Sequence, residues 1–114
     1  MTQRTLIAIG VDKKGKIWSG HFGMAPQYNL YDRSGTLLEE RPNPYGAGSS
    51  GGHTHHDNPN LIVDLLPECG TFIARRMGDA SKQRLVTNLG IDVMIAEGKD
   101  VRAALDAYLS ASSA

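Results

Sequence analysis

Residues 71–109, TFIARRMGDASKQRLVTNLGIDVMIAEGKDVRAALDAYL, decide the fold class, because their apolar period switches between that of a strand and that of a helix. Residues 71–74 (TFIA) read as a short buried strand, and Asp79-Ala80-Ser81 opens a helix that runs to about Asn88, with Gly90 as its cap. Residues 91–96 (IDVMIA) are a second strand and Glu97-Gly98 is a turn. Asp100 is an N-cap for a last helix, in which Val101, Ala104, Leu105, Tyr108 and Leu109 form one face. The tail SASSA is expected to fray. A strand-helix-strand-helix order requires parallel pairing through right-handed crossovers.

Working outward, residues 4–11 (RTLIAIGV) are a nearly continuous apolar run, the composition of a central strand covered on both faces. Residues 12–15 (DKKG) suit a hairpin turn into a short strand at 16–19, with Trp18 packed on the sheet. In residues 20–26 (GHFGMAP) two glycines flank His21 and Phe22, so the backbone can bend sharply or approach a ligand closely. Residues 28–32 (YNLYD) and 37–41 (LLEER) read as paired strands around the turn RSGT. Leu61, Ile62, Leu65 and Leu66 fall at helical spacing, with Asn58 and Asn60 as N-cap candidates and an end before Cys69-Gly70. The expected fold is α/β: a mixed five-stranded sheet, antiparallel in its first half and parallel in its second, flanked by helices. In such sheets ligands bind outside the carboxyl ends of the parallel strands, here Val11-Asp12, residues 75–79 and Glu97-Gly98.

Between the halves lies PNPYGAGSSGGHTHHD, residues 42–57, with four glycines and three of the four histidines of the chain. It favours no regular structure, so residues 42–59 are expected to form a flexible Gly/His-rich loop inside a single domain spanning residues 1–114. His53, His55 and His56 can ligate a soft metal when neutral or meet an anion when protonated; a polar tether whose histidines touch only water is the competing reading.

Twelve basic and twelve acidic side chains cancel, so there is no global field of the kind that tracks nucleic acid, and any anion site must be local. One cysteine, Cys69, forms no intrachain disulfide and supplies no four-thiolate site. With neither a signal-like start nor a long apolar run, the expectation is a cytoplasmic protein with no membrane partner.

IAIGVDKKGKIWSGHFGMAPQYNLYD, then the Gly/His-rich loop, a short helix, a strand and IDVMIAEGKDVRAALDAYL together resemble the dinitrogenase iron-molybdenum cofactor biosynthesis family, over residues 6–109. Its marks are His21-Phe22-Gly23 followed by Ala25, and Ala96-Glu97-Gly98. The family includes NifX-like cofactor carriers, the C-terminal part of NifB-like proteins and the orange-protein branch of sulfate-reducing bacteria. The resemblance implies a ribonuclease-H-like fold. Where family members often carry a GGIGP-like turn, this chain has Ala74-Arg75-Arg76-Met77-Gly78-Asp79.

That departure sets two permanent positive charges at a helix N-terminus, which suits a polyanion; alternatively the arginines are solvated and Asp79 only caps the helix. His21, Arg75, Arg76, Gly78, Asp79, His53, His55 and His56 are the expected cofactor-binding residues, with His53, His55 and His56 the candidate metal ligands. Met24, Met77 and Cys69 offer soft sulfur but belong more naturally to the core. The resemblance implies a carrier for a noncovalently held metal-sulfur cluster, of molybdenum-copper sulfide or iron-molybdenum/iron-sulfur type. It implies donor or acceptor proteins for that cluster as partners, a monomer or weak homo-oligomer, and no enzymatic turnover or nucleic-acid partner. Two alternatives stand beside it: a metal-dependent nuclease built on Asp12, Asp32 and Asp64, which the fold would permit, and a ligand-free regulatory domain.

Overall fold

The computed structural model describes residues 5–43 and 59–112. Five strands, β1 (Leu6–Val11), β2 (Gln27–Tyr31), β3 (Leu37–Pro42), β4 (Cys69–Ala74) and β5 (Asp92–Ile95), form one sheet in the order β3-β2-β1-β4-β5. β2 is antiparallel to both its neighbours, while β1, β4 and β5 pair in parallel. The sheet is therefore antiparallel on one side of β1 and parallel on the other, the ribonuclease-H-like arrangement. The helices are α1 (Pro59–Leu65), α2 (Asp79–Gln83) and α3 (Val101–Ser112).

β1 is central because both its faces are apolar. Ile7, Ile9 and Val11 point into a core with Ile73, Leu105 and Tyr108, under α3. Ala8 points the other way, into a core with Tyr28, Phe72, Ile62 and Leu85, under α1 and the helical segment at Arg84–Asn88. Alternation along β1 thus serves a layer of helix on each side. Ile7 and Ile9 are fully buried, and each such side chain contributes about 1.5–3 kcal/mol of transfer free energy.

Two turns repeat one design, Asp-x-x-Gly. Asp12 Oδ1 accepts from Lys14 and Lys16 N–H at 2.8 and 3.0 Å; Asp32 Oδ1 accepts from Ser34 and Thr36 N–H at 2.9 and 3.0 Å. Gly15 and Gly35 take φ of 81° and 86°, the left-handed conformation that closes each turn.

Several expectations change. Residues 16–19 make no strand: Ile17 forms one isolated bridge with Val11, and its N–H goes to Lys99 O, so the segment crosses toward the turn between β5 and α3. Asn60 lies inside α1, which starts at Pro59, so it is no N-cap; a proline suits the first helical position, where its missing N–H is not needed. Asn58 and the loop residues 44–58 lie outside the described residues. α2 gives way to a π-helical segment, Arg84–Asn88, where Leu89 N–H reaches back to Arg84 O. Val86, Thr87 and Asn88 are weak helix formers, and Gly90 closes the segment at φ 69°. α3 continues through Ser110 and Ala111, which had been expected to fray. Its later turns are tied down by Tyr108, whose hydroxyl donates to Asp92 Oδ2 at 3.0 Å and lies 2.8 Å from buried Thr71 Oγ1. Asp100 caps α3 as expected, accepting from Ala103 N–H at 3.1 Å.

Among the described residues no helix is long and apolar enough to cross a membrane.

Candidate functional site

The carboxyl end of the parallel strands is built around a sharp bend, a single 3-10 turn at Phe22–Met24. Small residues let it lie on the sheet. A Cβ on Gly10 would stand 2.9 Å from that of Ala25, closer than real Cβ atoms approach. Phe22 is buried against Tyr28 and Phe72, with ring centroids 4.8 and 4.7 Å away.

Two buried polar side chains then fix the bend. The Tyr28 hydroxyl donates to Phe22 O at 2.7 Å, and burial pushes its pKa well above the ordinary phenol range, so it remains a donor. Asn43 Nδ2 donates to Gly23 O, Ala25 O and Tyr28 Oη at 3.0, 2.8 and 3.1 Å. The Asn43 N–H donates to Pro26 O at 3.0 Å.

Rigid support leaves His21 exposed at the front of the bend. It forms an isolated parallel bridge with Arg76, just beyond the end of β4, and Phe22 N–H donates to Arg76 O at 3.0 Å. His21 Cε1 lies 3.9 Å from where a Cβ on Gly78 would be, so the imidazole stands over that glycine. Three expected site residues, far apart in sequence, therefore meet at one place: His21, Arg76 and Gly78. Arg76 and Asp79 are exposed and Arg75 is half-buried. Among the described residues neither arginine has an ion-pair partner, in contrast to Arg41, held by Glu39 and Glu68, and Arg102, paired with Asp106. Asp79 is the first residue of α2, where its charge offsets part of the arginine field.

His53, His55 and His56 lie outside the described residues, so their expected role in the site is neither supported nor opposed by the geometry. Among the described residues no three His, Cys, Asp or Glu side chains gather in a way that could hold a metal ion. Cys69 is fully buried within β4, and Met77 packs against the core, as sulfur side chains more often do. The carboxylates proposed for a nuclease do not converge. Asp12 follows β1 and Asp32 follows the antiparallel β2, so they stand at opposite ends of the sheet, each accepting from the backbone of its own turn.

Composition and spacing did not single out Tyr28 and Asn43. Asn43 lies between two prolines, a pattern that reads as loop; only the folded chain shows that its side chain is turned inward.

A sequence model described as "Dinitrogenase iron-molybdenum cofactor" matches residues 3–111. No curated protein matches the chain. Among solved structures, the fold is similar to that of the apo form of the orange protein from Desulfovibrio gigas, with a TM-score of 0.70 and 20% identity, covering 97% of this chain and 92% of that one.

Proposed function

The chain belongs to the dinitrogenase iron-molybdenum cofactor family, and from that premise we propose that it binds and carries a noncovalently held metal-sulfur cluster of the molybdenum-iron-sulfur or molybdenum-copper-sulfur type. The cluster is cargo, taken from one protein and given to another, with no hydrolytic or redox turnover by this chain. The observation that supports this reading most is the bridge that sets His21 beside Arg76 at the carboxyl end of the parallel strands. An exposed imidazole, a guanidinium without an ion-pair partner among the described residues and a glycine that leaves the backbone open offer charge and hydrogen bonds to an anion. Buried Cys69 gives no thiolate anchor, so the hold is reversible, as delivery requires. Arg75 adds positive potential, and Asp79 limits it. His53, His55 and His56 join the site in this proposal as further imidazoles from the adjoining loop.

The test is a visible spectrum with elemental analysis on protein isolated from its native host, since metal-sulfide clusters absorb visible light. Colour with molybdenum and sulfide in fixed ratio is the expected result; colourless, metal-free protein that also fails to take up a synthetic thiometallate overturns the proposal. Acidification separates two modes of holding. Retention rises as imidazoles protonate if they act by charge, and falls if they ligate metal.

A further inference from the structure

We infer that the turn after β1, with the cavity beside it, docks an acidic segment of a partner protein that carries an apolar side chain. The turn is held in shape from within. Asp12 N–H donates to Lys16 O at 2.8 Å, Gly15 N–H donates to Asp12 O at 3.1 Å, and the Asp12 carboxylate accepts from two further backbone N–H groups. Lys13, Lys14 and Lys16 all project into solvent from this frame. None has an ion-pair partner among the described residues, although the whole chain is electrically neutral.

Beside the lysines is a cavity of about 330 Å³ lined by Asp12, Lys13, Lys14, Trp18 and Pro26. Trp18 is the one tryptophan of the chain and is half-buried, packed partly on the core that holds Ala8, Tyr28 and Phe72. The ring is held closely: a Cβ on Gly20 would stand 2.7 Å from Trp18 Nε1. An aromatic wall and a proline beside exposed ammonium groups match the composition of a protein-binding patch, with an apolar anchor inside and charges at the rim. A nucleic-acid track would need a longer basic groove than one turn supplies, and the neutral chain provides no wider positive field.

The surface is also placed for exchange of cargo. The turn follows β1 and Arg75 follows β4, and these strands are parallel neighbours, so the lysines and the His21–Arg76 bridge lie at the same end of the sheet. The partner's role as donor or acceptor rests on the carrier reading; docking itself does not.

Because Trp18 is the only tryptophan, its emission reports the cavity directly. The full chain is titrated with a synthetic peptide of Asp and Glu around a central Leu, with its Asn/Gln counterpart, and with a short DNA duplex. A saturable emission change with the acidic peptide is expected, strongest at low ionic strength and lost near 1 M salt, where the Debye length is about 3 Å. Lys13→Glu together with Lys14→Glu should weaken it by about tenfold while leaving the circular dichroism unchanged, in keeping with the loss of two partly exposed charge pairs. Equal binding of the amide peptide, tighter binding of the duplex, no saturable change, or indifference to the double charge reversal each overturns the inference. Failure of the chain to hold any cluster, with peptide binding intact, would instead remove the carrier reading and leave the docking surface standing.

Discussion

Asn43→Ala removes the side chain that joins the His21 bend to the end of β3. In the native fold its amide donates to Gly23 O, Ala25 O and the Tyr28 hydroxyl, at 2.8–3.1 Å, and the residue is only 5% exposed. Each net hydrogen bond is worth about 1 kcal/mol, and each buried acceptor left without a donor costs about 1–3 kcal/mol. Some of the freed acceptors will reach water, because the bond to Gly23 O is only part-buried, so the total should be about 3 kcal/mol. For a domain of this size about 1 kcal/mol moves the melting temperature by roughly 4 °C, so thermal denaturation should show a fall of roughly 12 °C. Asn43→Asp should be worse at neutral pH, since it sets a carboxylate against two carbonyl oxygens. Its folded-state pKa is then raised above the unfolded value, so stability is recovered as pH falls and lost again as pH rises. Tyr28→Phe is expected to cost less alone and to couple with Asn43→Ala in a double-mutant cycle by about 1 kcal/mol. An Asn43→Ala protein within about 0.5 kcal/mol of the native one, the range of an ordinary surface change, would refute the claim that this side chain holds the bend.

Replacing both Arg75 and Arg76 by Ala should lower cluster retention and its salt sensitivity together, measured by visible absorbance after gel filtration, because fixed charges act through a screened field; unchanged retention would move the cargo elsewhere. Gly10→Ala should destabilise by about 1–3 kcal/mol in urea denaturation, since its Cβ meets Ala25 at 2.9 Å and the bend must lift from the sheet. Hydrogen bonding to Arg41 holds Glu39 below the ordinary carboxylate range, so its contribution is present above that range and lost as pH falls through the folded value. Glu39→Gln should therefore flatten the acid limb of stability against pH, and an unchanged limb would remove Glu39 as a cause. The purified chain should show no metal-dependent cleavage of RNA or DNA; cleavage abolished by Asp12→Asn would establish the nuclease reading.

What the sequence made legible were features whose cause is local. The two-sided apolar run of β1, the glycines that close the Asp-x-x-Gly turns and the cap at Asp100 each follow from a few adjacent residues, and all three are in the fold. Residues 16–19 misled because Ile17 and Trp18 have strand composition while the Ile17 N–H is taken by Lys99, more than eighty positions away and invisible to any short window. The helical span at 79–88 was legible in extent, but its change to π geometry over Arg84–Asn88 leaves no mark in the apolar spacing, which reads the same for either helix over one turn.

The site divides along the same line. Arg75 and Arg76 stand out by charge and His21 by the glycines around it, and an open α/β sheet directs attention to the carboxyl ends of its parallel strands. That His21 and Arg76 are joined is a register fact, created where the bend packs on β1 through Gly10 and Ala25. Asn43 shows why such facts escape composition. Between two prolines it resembles any loop residue, yet once β3 pairs with β2, its amide is carried to the carbonyls of the bend and to the Tyr28 hydroxyl. An asparagine there matters because a neutral donor satisfies carbonyl oxygens without burying a charge beneath the bend. The support beneath the His21–Arg76 bridge is thus electrically silent, and in the proposed carrier role the charge of Arg76 stays available to the cargo.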